Sequence, residues 1–257
     1  MDQGSQTMTK WQNGICRAMT LLMSMLAVFA VLAIGMGSAA AQEVSVGSYV
    51  TFGQYPQTAK GNDKTPIEWL VLDVDGDRAF LLSRYALDAK PYNEEHTEIT
   101  WEECTLRAWL NGEFLNRAFS EKEQAAILLT DVDNSREQSF SNDYVRANSG
   151  NDTQDKVFLL SYAEARDYLG LVRLHEDAKI ECAPTAYADE QGAYISSVYT
   201  TVDGEPAGLW WLRTSSGRRY RASYVGGEES LYFDGDVEFH YLSVRPALWV
   251  DLSAGIL

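Results

Sequence analysis

Apolar positions along the first half of the chain fall into two periods, and the change between them marks where strands give way to helices. Tyr49 to Tyr55 and Ile67 to Val74 alternate or run apolar, Asp75-Gly76 supplies a turn pair, and Ala79 to Ser83 runs back. A period of two around such a turn predicts a β-hairpin. Three later segments open with Ser or Thr followed three residues on by Glu, a pair whose side chains satisfy the free N–H groups of a helix start. Thr100 with Glu103 predicts a first helix carrying Cys104, Ala108, Trp109, Leu115 and Phe119 inward, with Gly112 weakening its middle. Ser120 with Glu123 predicts a second, to about Leu129. Ser161 with Glu164 predicts a third, after an apolar strand at Val157 to Leu160 and stopping at Gly170.

Between the second and third helices, Thr130 to Lys156 is almost wholly polar, with Phe140, Tyr144 and Val145 as its anchors. It reads as a long surface loop, as does Ala188 to Gly208. The remainder is β-rich: Leu209 to Arg213, Tyr220 to Val225, Leu231 to Phe239 with a turn at Asp234-Gly235, and Val244 to Val250. Two of these runs, Leu209-Trp210-Trp211-Leu212-Arg213-Thr214 and Ser243-Val244-Arg245-Pro246-Ala247-Leu248-Trp249-Val250, each hold one Arg and read as paired core strands closing the domain. No solenoid repeat or low-complexity linker divides the chain.

Ahead of all this, Lys10 and Arg17 precede an apolar run from Ala18 to Met36, then Ala39-Ala40-Ala41. That arrangement predicts residues 1–41 as a secretory signal, cleaved after Ala41, with an uncleaved anchor as the alternative. Of 257 residues, removal of the first 41 leaves 216, residues 42–257, enough for one domain with a substantial core. The net charge of −16 becomes −17 once the leader's net +1 is gone. Nucleic acid and anionic lipid would both be repelled, so neither is expected as a partner, and no membrane contact beyond the leader. The basic cluster Arg213, Arg218, Arg219, Arg221 reads as solvated charge offset by Glu228 and Glu229. Cys104 and Cys182 stay in the mature part, either as a disulfide or as two small buried apolar residues, and the sequence does not choose.

Several strings together carry a resemblance: Tyr49-Val50-Thr51-Phe52-Gly53-Gln54-Tyr55-Pro56, Pro66-Ile67-Glu68-Trp69-Leu70-Val71-Leu72, Leu106-Arg107-Ala108-Trp109-Leu110-Asn111, and the two C-terminal Arg-bearing pieces. The chain resembles the bacterial extracytoplasmic domain-of-unknown-function family 6273 over nearly all of its mature part. Its C-terminal half is similar in pattern to C-type-lectin-like folds of the sulfatase-modifying-factor kind. That resemblance implies a single α+β domain with short helices, a small antiparallel sheet and long loops, and no activity by itself.

Catalytic chemistry finds little support. Formylglycine-type cysteine chemistry would need a Cys pair in the β-rich region, and none lies beyond Cys182. Metal sites would need clustered ligands, whereas His96, His175 and His240 are widely spaced. The triplet Asp73, Asp75, Asp77 lacks the distal Glu of a calcium loop. No nucleophile elbow is present, and a carboxylate pair such as Asp234 and Glu238 is an arbitrary choice among 36 acids (37 less Asp2). No cofactor is implied.

Recognition fits better. Between Trp210 and Tyr241, rigid aromatics alternate with arginines, a composition suited to interfaces. The candidate ligand-binding set is Trp211, Arg218, Tyr220, Tyr224, Tyr232 and Tyr241. About half of the aromatics on alternating strands must face the core, Trp210 or Trp211, Leu248 and Trp249 among them. Arg213 and Arg245 are expected to be structural, bonded to carbonyls or to an acid such as Glu68. The leading expectation is therefore a secreted binding module for a glycan or protein ligand. Its alternatives are an envelope-polymer-acting enzyme using acids on the 130–156 loop, and a structural part of a surface assembly.

Overall fold

The hairpin at the start of the chain forms because Gly76, at φ +60°, lets two residues close it. In the computed structural model, which describes residues 44–139, 150–170, 180–216, 218, 220–226 and 230–257, strands β2 (Thr65–Asp75) and β3 (Arg78–Ser83) pair antiparallel from Asp75↔Arg78 inward. Strand β1 (Tyr49–Tyr55) joins β2 on its other edge. The leader, together with Phe140, Tyr144, Val145, His175, Arg219, Glu228 and Glu229, lies outside the described residues. No helix among those described is long and apolar enough to cross a membrane.

Beyond this hairpin the chain is α+β, with several sheets where one small sheet was expected. After β4 (Asp88–Ala89) come short helices α1 (Thr105–Trp109), α2 (Leu115–Ala118) and α3 (Glu121–Ala126), then strands β5 (Thr130–Val132) and β6 (Thr153–Asp155). Helices α4 (Tyr162–Leu169) and α5 (Ala186–Glu190) follow, then β7 (Ile195–Thr200), β8 (Pro206–Gly208), β9 (Trp210–Ser215), β10 (Arg221–Gly226), β11 (Ser230–Asp236), β12 (Ser243–Val244) and β13 (Ala247–Asp251). One sheet has the order β1-β2-β3-β13, a second β11-β10-β9-β12-β4, and β5-β6 and β7-β8 pair separately. The Trp-Trp strand β9 does pair with the start of the closing run, Ser243 lying parallel to Trp210. The end of that run, β13, belongs to the other sheet, alongside β3.

Arg245-Pro246 is where the chain passes from one sheet to the other, and Arg245 is buried at the crossing. Its Nε donates to Ser83 O at 2.9 Å, its Nη1 to Ile180 O at 3.3 Å, and its guanidinium lies 4.9 Å over the Trp210 ring. Carbonyls thus hold it, as expected; Glu68 instead pairs with Arg84. The core below is unusually rich in tryptophan, and each fully buried indole has an acceptor, as a polar N–H in an apolar interior requires. Trp69 donates to Phe52 O, Trp210 to Ile180 O, Trp211 to Lys90 O and Trp101 to the Asp155 carboxylate.

Two of the three predicted helix starts form as read: Ser120 with Glu123 and Ser161 with Glu164 are complete capping boxes, and Gly170 ends α4 at φ +75°. The first does not. Trp101 is drawn down to Asp155, residues 101–103 become a turn, and α1 begins at Thr105 with Cys104 as its N-cap. A wider π-turn, Leu110–Phe114, then interrupts the helix around Gly112. The apolar run Val157 to Leu160 is buried but makes one bridge, Phe158 to Ala247, rather than a strand. The Cys104–Cys182 disulfide is not formed: both thiols are free and buried, Cys104 donating to Trp101 O and Cys182 to Arg84 O.

Candidate functional site

Strand pairing sets three aromatic residues in one cross-strand row. Tyr224 on β10 lies directly opposite Trp211 on β9 and Tyr232 on β11. Directly opposed side chains share a face and touch. The Tyr224 and Tyr232 rings stack at 5.0 Å and 13°, and Trp211 meets Tyr224 edge-on at 6.3 Å. Two glycines give the rings room to lie against the sheet. A Cβ on Gly226 would strike the Tyr232 ring, and one on Gly235 would come within 2.8 Å of Trp211 and 2.9 Å of Tyr224. The expected turn at Asp234-Gly235 is instead strand, with an irregularity in its pairing to β10 at Phe233 and Asp234 and its glycine serving close ring approach. Gly235→Ala is expected to cost about 1–3 kcal/mol through overpacking. Thermal unfolding checks this, and an unchanged midpoint would show that the rings do not need the space.

The β7-β8 hairpin stands opposite the tyrosine pair. Between them lies a cleft of about 300 Å³, lined chiefly by Tyr194, Ser196, Tyr199, Leu209, Tyr224 and Tyr232. The Ser196 hydroxyl accepts from the N–H groups of Val198 and Tyr199, which fixes the bend of this wall. Tyr194 is held by its N–H to Tyr241 O at 2.9 Å, while its side chain is exposed. Burial, then the Asp234 carboxylate and the neighbouring Tyr232 and Tyr241, push the Tyr224 phenol up to about 12. Its hydroxyl is thus a neutral donor and acceptor at physiological pH.

The six candidate ligand residues are distributed over more than one place. Tyr224 and Tyr232 line the cleft. Trp211 is fully buried and forms the floor behind Tyr224 rather than a contact surface. Tyr241 is exposed and stacks on Phe239 at 5.0 Å. Arg218 and Tyr220 form a separate group: Arg218 Nη1 donates to the Tyr220 hydroxyl at 3.0 Å, and the Tyr220 ring lies 5.2 Å from His96, itself 2.6 Å from Glu238. The residues the sequence reading missed are Tyr194, Ser196 and Tyr199, in a stretch read as loop. Their signal was present in Tyr194-Ile195-Ser196-Ser197-Val198-Tyr199-Thr200, a run of β-branched and aromatic residues typical of a strand.

Acids on the 130–156 loop have local work. Asp133 takes Ser135 N and Gln138 Nε2, and Asp152 takes Asn134 N. Asp155, buried, accepts from Arg107 Nε at 2.7 Å and from Trp101 Nε1 at 3.0 Å. Among the described residues, no three His, Cys, Asp or Glu side chains gather as metal ligands would.

No curated protein and no solved structure matches the chain. The family model described as domain of unknown function, DUF6273, matches residues 76–252. That span takes in the whole tyrosine cleft, Leu106 to Asn111 and both Arg-bearing pieces, and excludes Tyr49 to Pro56 and Pro66 to Leu72. With well over half of its length matched, the chain belongs to the DUF6273 family.

Proposed function

We propose that this chain is an exported binding module that takes a glycan into the cleft between the Tyr224–Tyr232 pair and the β7-β8 hairpin. The observation that carries the reading is the stacked tyrosine pair lining a cavity of about 300 Å³ together with Tyr194, Tyr199 and Ser196. A sugar ring offers an apolar C–H face to an aromatic platform and hydroxyls to its rim. A small, partly apolar concavity with a few polar groups is the usual form of such a site. A kinship with C-type-lectin-like folds is supported by the pairing of the tryptophan-rich β9 with β12 near the C-terminus. Export is supported by the leader sequence, and the mature protein is expected to begin at Gln42, which its intact mass would report.

The test is a glycan array followed by titration of the best ligand. Tyr224→Ala and Tyr232→Ala are each expected to weaken binding at least about tenfold, as loss of a central aromatic anchor does. Arg218→Ala, away from the cleft, should leave it unchanged. A folded double tyrosine variant that keeps full affinity for every recovered glycan would end this reading, as would capture of a protein partner unaffected by either tyrosine.

A further inference from the structure

A second cavity, of about 470 Å³, lies away from the tyrosine cleft, where the end of β1 meets α2 and the start of α3. Its wall contains two acids and two cations, and they differ in what is left over. Asp63 accepts from Gln57 N, Thr58 N, Thr58 Oγ1 and Thr65 Oγ1. Glu123 accepts from Ser120 N and Oγ with one oxygen and from Gly53 N with the other. Both carboxylates are committed to the N–H and hydroxyl donors around them, Asp63 with four bonds and Glu123 with three.

The cations are not. Arg117 lies between two rings, 4.8 Å from Tyr55 and 5.4 Å from Tyr187, and its Nη1 donates to both hydroxyls at 3.4 and 3.3 Å. Its Nε and Nη2 have no partner among the described residues, and neither Arg117 nor Lys64 is paired with a carboxylate there. The nearby buried Asp88 accepts from the Tyr55 hydroxyl at 2.7 Å and acts on Arg117 through its charge, without a hydrogen bond to it. Arg117, which lines the cavity, thus keeps the Nε–Nη2 edge of a ring-braced guanidinium open, the edge that receives a carboxylate through two parallel hydrogen bonds. The Gln54 and Asn62 amides and the Tyr55 and Phe119 rings complete the wall.

We propose that this cavity binds a ring-bearing carboxylate of about monosaccharide size, its carboxylate on Arg117 Nε and Nη2 with Lys64 beside it. An acidic sugar and a plain cyclic carboxylate share this chemistry. The proposal stands on Arg117 and is independent of the tyrosine cleft.

Calorimetric titrations with glucuronate, cyclohexanecarboxylate and glucose test it. Saturable binding of at least one carboxylate is expected, with glucose at least about tenfold weaker, the usual scale for a charge-assisted bidentate pair. Binding of glucuronate alone identifies an acidic sugar; equal binding of both identifies the carboxylate and ring as the recognised features. Arg117→Ala should abolish binding and Arg117→Lys, which keeps the charge but not the fork, should weaken it. Should Arg117→Ala not fold, Lys64→Ala takes its place with an expected loss of about threefold or more. Absence of saturable carboxylate binding, glucose binding as tightly as glucuronate, or unchanged affinity in the folded variants would overturn the proposal.

Discussion

Arg213→Ala is expected to destabilise the fold by about 3 kcal/mol or more, because removing one partner of a buried ion pair strands the other. The guanidinium is 1 % exposed in the middle of β9 and serves three neighbouring segments at once. Nε donates to Asn134 Oδ1, Nη1 to Leu159 O and the Glu164 carboxylate, and Nη2 to Asp133 O and Glu164 Oε1. Glu164 also closes the capping box of α4 through Ser161 N. Alanine would leave one buried carbonyl, one part-buried carbonyl and a buried amide oxygen without this donor and a carboxylate without its counter-ion, and would open a cavity beside Phe158. The Glu164 side chain is 24 % exposed, so it regains some hydration, which holds the cost to the lower part of the usual 3–5 kcal/mol range. Arg213→Lys restores the charge without the fork and should recover about half of the loss. Urea unfolding measures both. A midpoint for Arg213→Ala equal to that of the unaltered protein would mean that water replaces the guanidinium, and that the β9–α4 connection does not depend on it.

Arg213 also shows what the sequence makes legible. A single cation at the end of the apolar run Leu209 to Leu212 had to be either a ligand contact or a satisfied core group, and its surroundings favoured the second. The partners themselves were beyond reach, since Asp133 stands 80 positions from Arg213 in the chain and Leu159 and Glu164 stand 54 and 49 away. Local signals fared well where local physics decides the outcome: the Asp75-Gly76 hairpin and the Ser120 and Ser161 capping boxes depend on residues within four positions of one another. The Thr100 box failed because Trp101, next to it, is bound by a distant acid, Asp155. Half of the cleft was legible for the same reason. Period-two alternation placed Tyr224 and Tyr232 on strands, but only the tertiary fold brings Tyr194 and Tyr199 across from them. Nor does the sequence distinguish Trp211 from the half-buried Tyr224 and Tyr232, because cross-strand opposition, not composition, decides which ring of the row is innermost.

That position makes Trp211→Ala the other large effect, at about 3–5 kcal/mol for deleting a fully buried tryptophan. The ring is packed against Tyr92 edge-on at 5.8 Å and against Tyr224, with Gly235 beneath it, and its indole N–H reaches Lys90 O at 2.9 Å. Alanine would leave a void, an unsatisfied carbonyl and a Tyr224 with nothing behind it, so stability and cleft binding should fall together. Trp211→Phe separates the two roles. It keeps most of the packing and loses the hydrogen bond, for an expected cost of about 1–2 kcal/mol. Because the tyrosines still face the ligand, affinity for any glycan bound in the cleft should change by no more than about threefold, far less than loss of a contacting aromatic anchor would cause. Paired unfolding and binding measurements on this variant decide the matter. A folded, near-normal Trp211→Phe that has lost binding as completely as Tyr224→Ala would place the indole in contact with ligand, which requires β9 to open and contradicts a tryptophan floor beneath a tyrosine cleft.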